Sequence, residues 1–270
     1  MRCYFFGDIH GNGYALERVL THLDEINPDR VFCLGDVVGW LPFGDRSWRR
    51  MRGLAIPTVA GNHDLLVAGC FTDDPRQLDR MQATAYNAGL LATYPGAIDY
   101  LRSLPLRIEC EDFTVVHHSP FDLPEAGQPP TIGCFAYLDD TALQRSLEPW
   151  RQSPQRLIFS GHDHLPAVFE LADDGQMIAA SYRPAAADSL TVPLQPRHRY
   201  WIKVGSVGGP YRDQVAAANS ALYDRNAQTI TLYRLPYPTQ VLRKELESHR
   251  FLGNLATIQR YRQLLEQSLP

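Results

Sequence analysis

Five short polar clusters carry the side chains best suited to chemistry: Gly7-Asp8-Ile9-His10-Gly11, Gly35-Asp36, Gly61-Asn62-His63-Asp64, His117-His118-Ser119-Pro120 and Gly161-His162-Asp163-His164. Six of the nine histidines fall within them. Pooled, they offer carboxylates, one amide and imidazoles but no thiol, a donor set that suits Mn, Fe, Zn or Mg. In Asp8-x-His10 and His162-x-His164 the two outer side chains share one side of an extended segment, as capture of a metal from a strand end requires, and Asp163 between its two histidines points away. Asp36 is the candidate for a carboxylate that bridges two cations.

Each cluster follows an apolar run that reads as a buried strand: Cys3–Phe6, Val31–Leu34, Thr58–Ala60, Phe113–Val116 and Leu157–Phe159. Taken singly, a Gly-Asp is a turn and a lone His a satisfied core or surface residue. In open α/β sheets, however, residues just past the carboxyl ends of strands converge on one crevice, which makes the five clusters one site. Helical periodicity over Gly13–Ile26, with Leu16, Val19, Leu20, Leu23 and Ile26 on one face, and over Arg46–Gly53 implies crossovers and a largely parallel sheet at this end. Pro75–Tyr94 and Ala97–Ser103 read as further helices, and Pro120–Pro130 as a loop. Val168–Leu171 and Met177–Ala180 around Asp173-Asp174-Gly175 read as a hairpin. Tyr200–Val204, Ala221–Tyr223 and Thr229–Leu235 continue that pattern, so a second sheet packed on the first is expected. Arg183–Arg199 reads as a surface excursion, and about 239–268 as a helical tail of one domain covering 1–270.

The 270 residues, 44% hydrophobic and 21% charged, exclude a disordered chain or a disulfide miniprotein. With 26 Lys+Arg against 30 Asp+Glu the net charge is -4, which argues against nucleic acid as the partner. Lys203 and Lys244 are the only lysines, so nearly all positive charge is Arg. Cys3, Cys33, Cys70, Cys110 and Cys134 are scattered and odd in number, which fits a reducing compartment. Gly7-Asp8 interrupts the N-terminal apolar run and no segment reaches membrane-spanning length, so the expectation is a cytoplasmic protein that spans no membrane.

The ordered set D-x-H, G-D, G-N-H-[DE], a lone His and G-H-x-H resembles the calcineurin-like metallophosphoesterase superfamily. Gly35-Asp36-Val37-Val38-Gly39 and Gly205-Ser206-Val207-Gly208-Gly209-Pro210 resemble a bacterial and archaeal branch of it. The resemblance implies an α/β fold of two packed mixed β-sheets flanked by helices, a four-layer αββα sandwich. It implies two divalent or trivalent metal ions: one held by Asp8, His10, Asp36 and His164, the other by Asp36, Asn62, His117 and His162. It also implies that His63 sits over the substrate as a phosphate contact or general acid; the alternative is a support behind the ligands. Two cations about 3.5–4 Å apart clamp phosphoryl oxygens and lower the pKa of a bridging water toward about 7. The leaving alkoxide then needs a proton, which an imidazole supplies near neutral pH.

Asp64 either orients His63 or caps the helix that follows. His118 stands where the family often has Gly, and it either reaches substrate or supports a ligand. Arg212 is a candidate phosphate contact, although relatives often place Arg directly after the Pro. Trp40-Leu41-Pro42-Phe43 makes its loop apolar, either to stack a flat group or to cover the sheet end. Ser206 is no nucleophile, because no base is assigned beside it, and Gly205–Gly209 reads as a tight loop lining the site. The expected activity is hydrolysis of a small phosphomonoester or phosphodiester, such as a nucleotide. The alternatives on the same core are a phosphoprotein phosphatase, which the missing D-R-G extension disfavours, and a dinucleoside polyphosphate hydrolase. A non-catalytic scaffold would have eroded ligand positions, and these are intact.

Overall fold

The computed structural model describes residues 1–173, 177–182, 189–249 and 252–267. The expected turn at Asp174-Gly175, residues 183–188 of the expected excursion and positions 250, 251 and 268 of the expected tail lie outside them. In chain order the elements are β1 (Arg2–Phe6), α1 (Gly13–Ile26), β2 (Arg30–Cys33), α2 (Gly44–Leu54), α3 (Asn62–Val67), α4 (Leu78–Leu91), α5 (Ala97–Ser103), β3 (Arg107–Glu109) and β4 (Phe113–Val116). A 3-10 turn at Ile132–Phe135 precedes α6 (Asp140–Gln152) and β5 (Leu157–Ser160). Then come β6 (Ala167–Leu171), β7 (Met177–Tyr182), β8 (Ser189–Pro193), β9 (Arg199–Lys203), β10 (Ala218–Asp224), β11 (Thr229–Leu235), α7 (Thr239–Ser248) and α8 (Ala256–Gln267).

Two sheets form. One has the order β2-β1-β10-β11-β8 and the other β3-β4-β5-β9-β6-β7. Only β1–β2 are parallel in the first, and β4–β5–β9 in the second, so both sheets are mixed. The period-2 alternation of β1 shows how its sequence builds layers. Cys3 and Phe5 face the second sheet, where Phe5 stacks on Phe159 with ring centroids 3.7 Å apart and meets Phe113 edge-on. Tyr4 and Phe6 face the other way, into the core shared with Leu16 and Val19 of α1, Trp48 of α2 and Leu242 and Ile258 of the C-terminal helices. The outer face of the second sheet carries Ile158 and Trp201 against Leu143 and Trp150 of α6. The result is the expected four-layer αββα α/β sandwich.

Local signals account for the entry of α1: the Asn12 side chain accepts from the Ala15 N–H at 3.1 Å, and Asn27 closes the helix in the left-handed region. Several expectations need correction. The N-terminal strands do not form a sheet of their own, because β10 and β11 return from the far end of the chain to pair beside β1. Thr58–Ala60 makes only an isolated bridge from Thr58 to Cys33; the Ala60 N–H already bonds the Pro105 carbonyl, which turns the chain off the sheet. Within the expected excursion, Ser189–Pro193 is a strand on β11, with Val192 buried and Leu190 packed against the core between the sheets. The tail is two helices, with a 3-10 turn at Leu252–Asn254 between them. Helix α6, with Pro149 inside it, and the edge strand β3 carried no recognised sequence signal. Among the described residues no helix is long and apolar enough to cross a membrane.

Candidate metal centre and substrate cavity

The strand ends are laced together by their own backbones. The Asp8 N–H donates to the Gly35 carbonyl and the His10 N–H to the Asp36 carbonyl, each at 2.9 Å, which sets the loops after β1 and β2 side by side. Behind them the Gly161 N–H bonds the His117 carbonyl at 2.9 Å, and the Gly208 N–H bonds the Asp8 carbonyl at 2.9 Å. Asp8, His10, Asp36, His162 and His164 all have φ between 50° and 71°, the left-handed region that such residues seldom occupy. Sparsely populated backbone held by surrounding structure clusters at functional sites. Gly61 and Gly161 leave the room: a Cβ at Gly61 would stand 2.0 Å from Asp36 Oδ1, and one at Gly161 2.2 Å from Asp8 Oδ2.

All seven expected ligand side chains meet in this buried space, as two groups that share Asp36. In the first, His164 Nε2 lies 3.4 Å from Asp8 Oδ1, 3.0 Å from His10 Nε2, and His10 Nε2 is 3.6 Å from Asp36 Oδ2. In the second, His117 Nε2 is 3.3 Å from Asp36 Oδ2, and Asn62 Oδ1 lies 3.1 Å from His117 Nε2 and 2.9 Å from His162 Nδ1. Carbonyls fix three of the rings. His117 Nδ1 donates to Leu34 O at 2.6 Å, His162 Nε2 to Phe135 O at 2.9 Å and His164 Nδ1 to Pro210 O at 2.6 Å. Each ring therefore turns its other nitrogen toward the carboxylates and the Asn62 oxygen.

Such a congregation of acceptors requires positive charge. Burial alone would raise the Asp36 carboxyl, but the imidazoles of His117, His63 and His10 hold it well below the usual carboxylate range. Burial works to lower His117, yet Asp36 and Asp8 push it up to about 10. Against the same burial penalty, the Asp8 carboxylate also raises His164. At His117 and His164 the field of the site thus draws protons onto ring nitrogens that a cation would occupy, whereas burial holds His10 and His162 well below the ordinary range, and the donor set fits borderline or hard metal ions. Two of its subsets, Asp8-His10-His164 and Asp8-Asp36-His117, each bring their ligand atoms within 4.8 Å of one another, and His63 makes a third such group with His10 and Asp36.

His63 faces the same space. Its backbone N–H donates to Asp36 Oδ1 at 2.8 Å, its ring meets those of His10 and Trp40, and its Nδ1 has no hydrogen-bond partner among the described residues. Burial lowers its pKa to about 4. Asp64 does not orient it: one Asp64 oxygen accepts from the Val38 N–H at 3.2 Å and the other from the Gly61 N–H at 3.1 Å, so the carboxylate caps α3 and anchors the neighbouring loop. His118 lines neither cavity described below; it packs on the His162 ring at 5.1 Å, with Asp122 3.9 Å away, and so stands beside a candidate ligand. Asp163 turns outward, as expected, into a buried ion pair with Lys203. The Ser206 hydroxyl donates to the Asp8 carbonyl at 2.9 Å and accepts from the Gly209 N–H at 2.7 Å, which holds the loop closed.

A small inner pocket of about 50 Å³ touches Asp36, Asn62, His63, His162 and His164. Through Trp40, Arg80, Tyr137, Pro210 and Arg212 it shares walls with an outer cavity of about 520 Å³. Of the two expected aromatics, Trp40 lines this passage, whereas Phe43 is buried beneath Arg46 and covers the helix layer. Sequence reasoning missed Tyr137 and Arg80. They lie in segments between the clusters, with no strand before them, and the only sequence mark at Arg80 is the pair of acids Asp73-Asp74; Asp73 takes its guanidinium through both oxygens. The Arg46–Arg52 stretch is a solvated helix face, with Arg46, Arg49 and Arg50 paired to Glu245, Asp45 and Glu17.

A four-layer αββα sandwich with a carboxylate and imidazole cluster at the strand ends places the chain in the metallophosphoesterase class. The family model described as calcineurin-like phosphoesterase matches residues 1–166, and the chain belongs to that family. It is 27% identical over 248 residues, 90% of either chain, to an uncharacterized protein of Methanocaldococcus jannaschii. It is 29% identical over 126 residues, 43% of this chain and 44% of the other, to the symmetrical bis(5'-nucleosyl)-tetraphosphatase of Actinobacillus succinogenes. Among solved structures, a metallophosphoesterase from Sphaerobacter thermophilus superimposes with a TM-score of 0.73 at 26% identity, covering 100% of both chains. A hypothetical protein from Pyrococcus horikoshii shares the fold, with a TM-score of 0.65 at 17% identity over 96% of this chain and 97% of the other.

Proposed function

We propose that the protein is a dinuclear metal-dependent phosphoric ester hydrolase acting on a small phosphorylated substrate, a phosphomonoester or phosphodiester. The observation that carries this reading is the single Asp36 carboxylate standing between two buried ligand groups, completed by imidazoles of which His117, His162 and His164 have their other nitrogen fixed by a carbonyl. Asp8, His10, Asp36 and His164 would hold one ion, and Asp36, Asn62, His117 and His162 the other. When bound, such a pair supplies Lewis-acid polarisation of the phosphoryl oxygens and an activated hydroxide.

The chain's own residues supply the rest. The inner pocket admits the scissile phosphate and little else, which keeps bulk water away from the reacting group. His63, neutral when the pocket is empty of anion, meets a dianionic phosphate there, and that charge favours the protonated imidazole that the leaving oxygen needs. Hydrolysis of a dinucleoside polyphosphate is a second reading, favoured by the partial similarity to the tetraphosphatase. A cytoplasmic location accords with five free cysteines. The test is metal analysis of the purified protein coupled to turnover of an aryl phosphomonoester and phosphodiester, before and after chelation and with manganese added back. Near two ions per chain with chelation-sensitive turnover supports the proposal; no metal and no turnover of any ester overturns it.

A further inference from the structure

The outer cavity is electrostatically one-sided. Its wall includes Arg80, Arg212 and Arg260, and among the described residues no carboxylate lines it, although the chain as a whole is acidic with a net charge of -4. Arg80 is already neutralised by Asp73 through two oxygens. Arg212 and Arg260 have no ion pair among the described residues, and both are exposed to the cavity. Arg212 lies flat over Tyr137, its guanidinium carbon 3.8 Å from the ring centroid. Stacking of this kind leaves the edge N–H groups of a guanidinium free for a planar two-oxygen contact. Arg260 stands on α8, a helix that follows the family-matched residues 1–166, and α8 also gives Thr257, Gln263 and Gln267 to the same wall.

We propose that the substrate carries a second phosphate, separated from the one hydrolysed, and that Arg212 and Arg260 hold it in the outer cavity. The inference rests on the hydrolase reading and narrows it to doubly phosphorylated compounds. The scissile phosphate occupies the inner pocket, which is too small for more, and the rest of the molecule runs outward past Trp40 and Tyr137. A cavity with two unpaired guanidiniums and glutamine amides gains little from a neutral or cationic leaving group. For a remote phosphate it offers charge-assisted, two-pronged hydrogen bonds, the stronger class of such contacts.

The probes are alkane bisphosphonates of increasing chain length and the matching monophosphonates, whose carbon–phosphorus bonds resist hydrolysis. Calorimetric binding to the metal-loaded protein is measured alongside inhibition of aryl phosphate turnover. The expected result is that, at one favoured chain length, the bisphosphonate binds at least about tenfold more tightly than the monophosphonate. In Arg260→Ala and in Arg212→Ala the two affinities converge, while Arg260→Lys keeps part of the preference. Equal binding of both probes at every length, or a preference unchanged in both alanine variants, overturns the inference even when aryl phosphates are hydrolysed. Absence of turnover with the preference intact overturns the hydrolase reading instead and leaves the second anion site standing.

Discussion

The Tyr137 ring stacks on the His162 imidazole, with centroids 5.1 Å apart and planes at 25°, and the Arg212 guanidinium lies over the same ring. One aromatic plate thus joins a candidate metal ligand to the mouth of the substrate cavity. Substituting Tyr137→Leu removes the plate from both. Because His162 keeps its bond to the Phe135 carbonyl, metal content should hold while KM rises several-fold. Steady-state kinetics beside metal analysis check this, and loss of one metal ion in the variant would count against it.

Asp36 and His63 separate grip from rate. Asp36→Asn weakens both ligand groups at once and is expected to lose bound metal together with turnover. His63→Ala leaves the seven residues assigned to the two ions in place and should keep the metal while kcat falls about 10²–10⁴-fold. Elemental analysis and kcat are read on the same preparations; normal metal content in Asp36→Asn contradicts the sharing.

Gly61→Ala tests the cradle without touching a ligand. Its Cβ would lie 2.0 Å from Asp36 Oδ1, and relief of that overlap costs about 1–3 kcal/mol of packing strain. Metal affinity should fall with stability. Gly13→Ala, where a Cβ meets nothing within 4 Å, is the matched control and should leave metal affinity unchanged without lowering stability. Chelator titrations and thermal melts on the pair give the comparison.

The polar clusters were legible in the sequence because each sits where an apolar strand stops, and loops at strand ends have few directions in which to project a side chain. Asp8, Asp36 and His117 could be read that way. Tyr137, Arg80 and the carbonyls of Phe135 and Pro210 could not, since their roles depend on which segments fold over the site. Sheet membership was equally hidden: the apolar runs at β1 and β10 look alike, and only tertiary pairing decides that Phe5 meets Ala221. The role of Asp64 was open until both its oxygens were seen to accept backbone N–H groups.

The Lys203–Asp163 pair is buried on both sides, 6% and 7% exposed, between β9 and the loop that carries His162 and His164. Removing one partner strands the other charge away from water. Lys203→Met is therefore expected to cost about 3–5 kcal/mol, and adding Asp163→Asn should recover most of the loss. Urea unfolding of the single and double variants measures the difference; additive losses would refute the pairing argument.

His22 gives a pH test remote from the site. Its Nδ1 lies 2.8 Å from the Tyr4 hydroxyl, and burial, aided by Arg18, holds its pKa below the ordinary 6.5. The unfolded chain binds this proton at higher pH than the folded one, so stability rises with pH across the gap. The contribution is complete above pH 6.5 and is withdrawn as pH falls below it. Tm should therefore drop more steeply on acidification in the wild type than in His22→Asn, and parallel curves would remove His22 from the account.

The pairing of β1 with β10 also dictates when the protein becomes competent during its synthesis. Tyr4 bonds Ser220, 216 residues downstream, and His164 is steadied by the Pro210 carbonyl. A ribosome releases Asp8 and His10 well before Pro210 and Ser220. The site therefore is not assembled on the nascent chain until β10 has emerged, and any metal loading must wait for that strand. Truncated products, which lack β10, should be metal-free as well as misfolded.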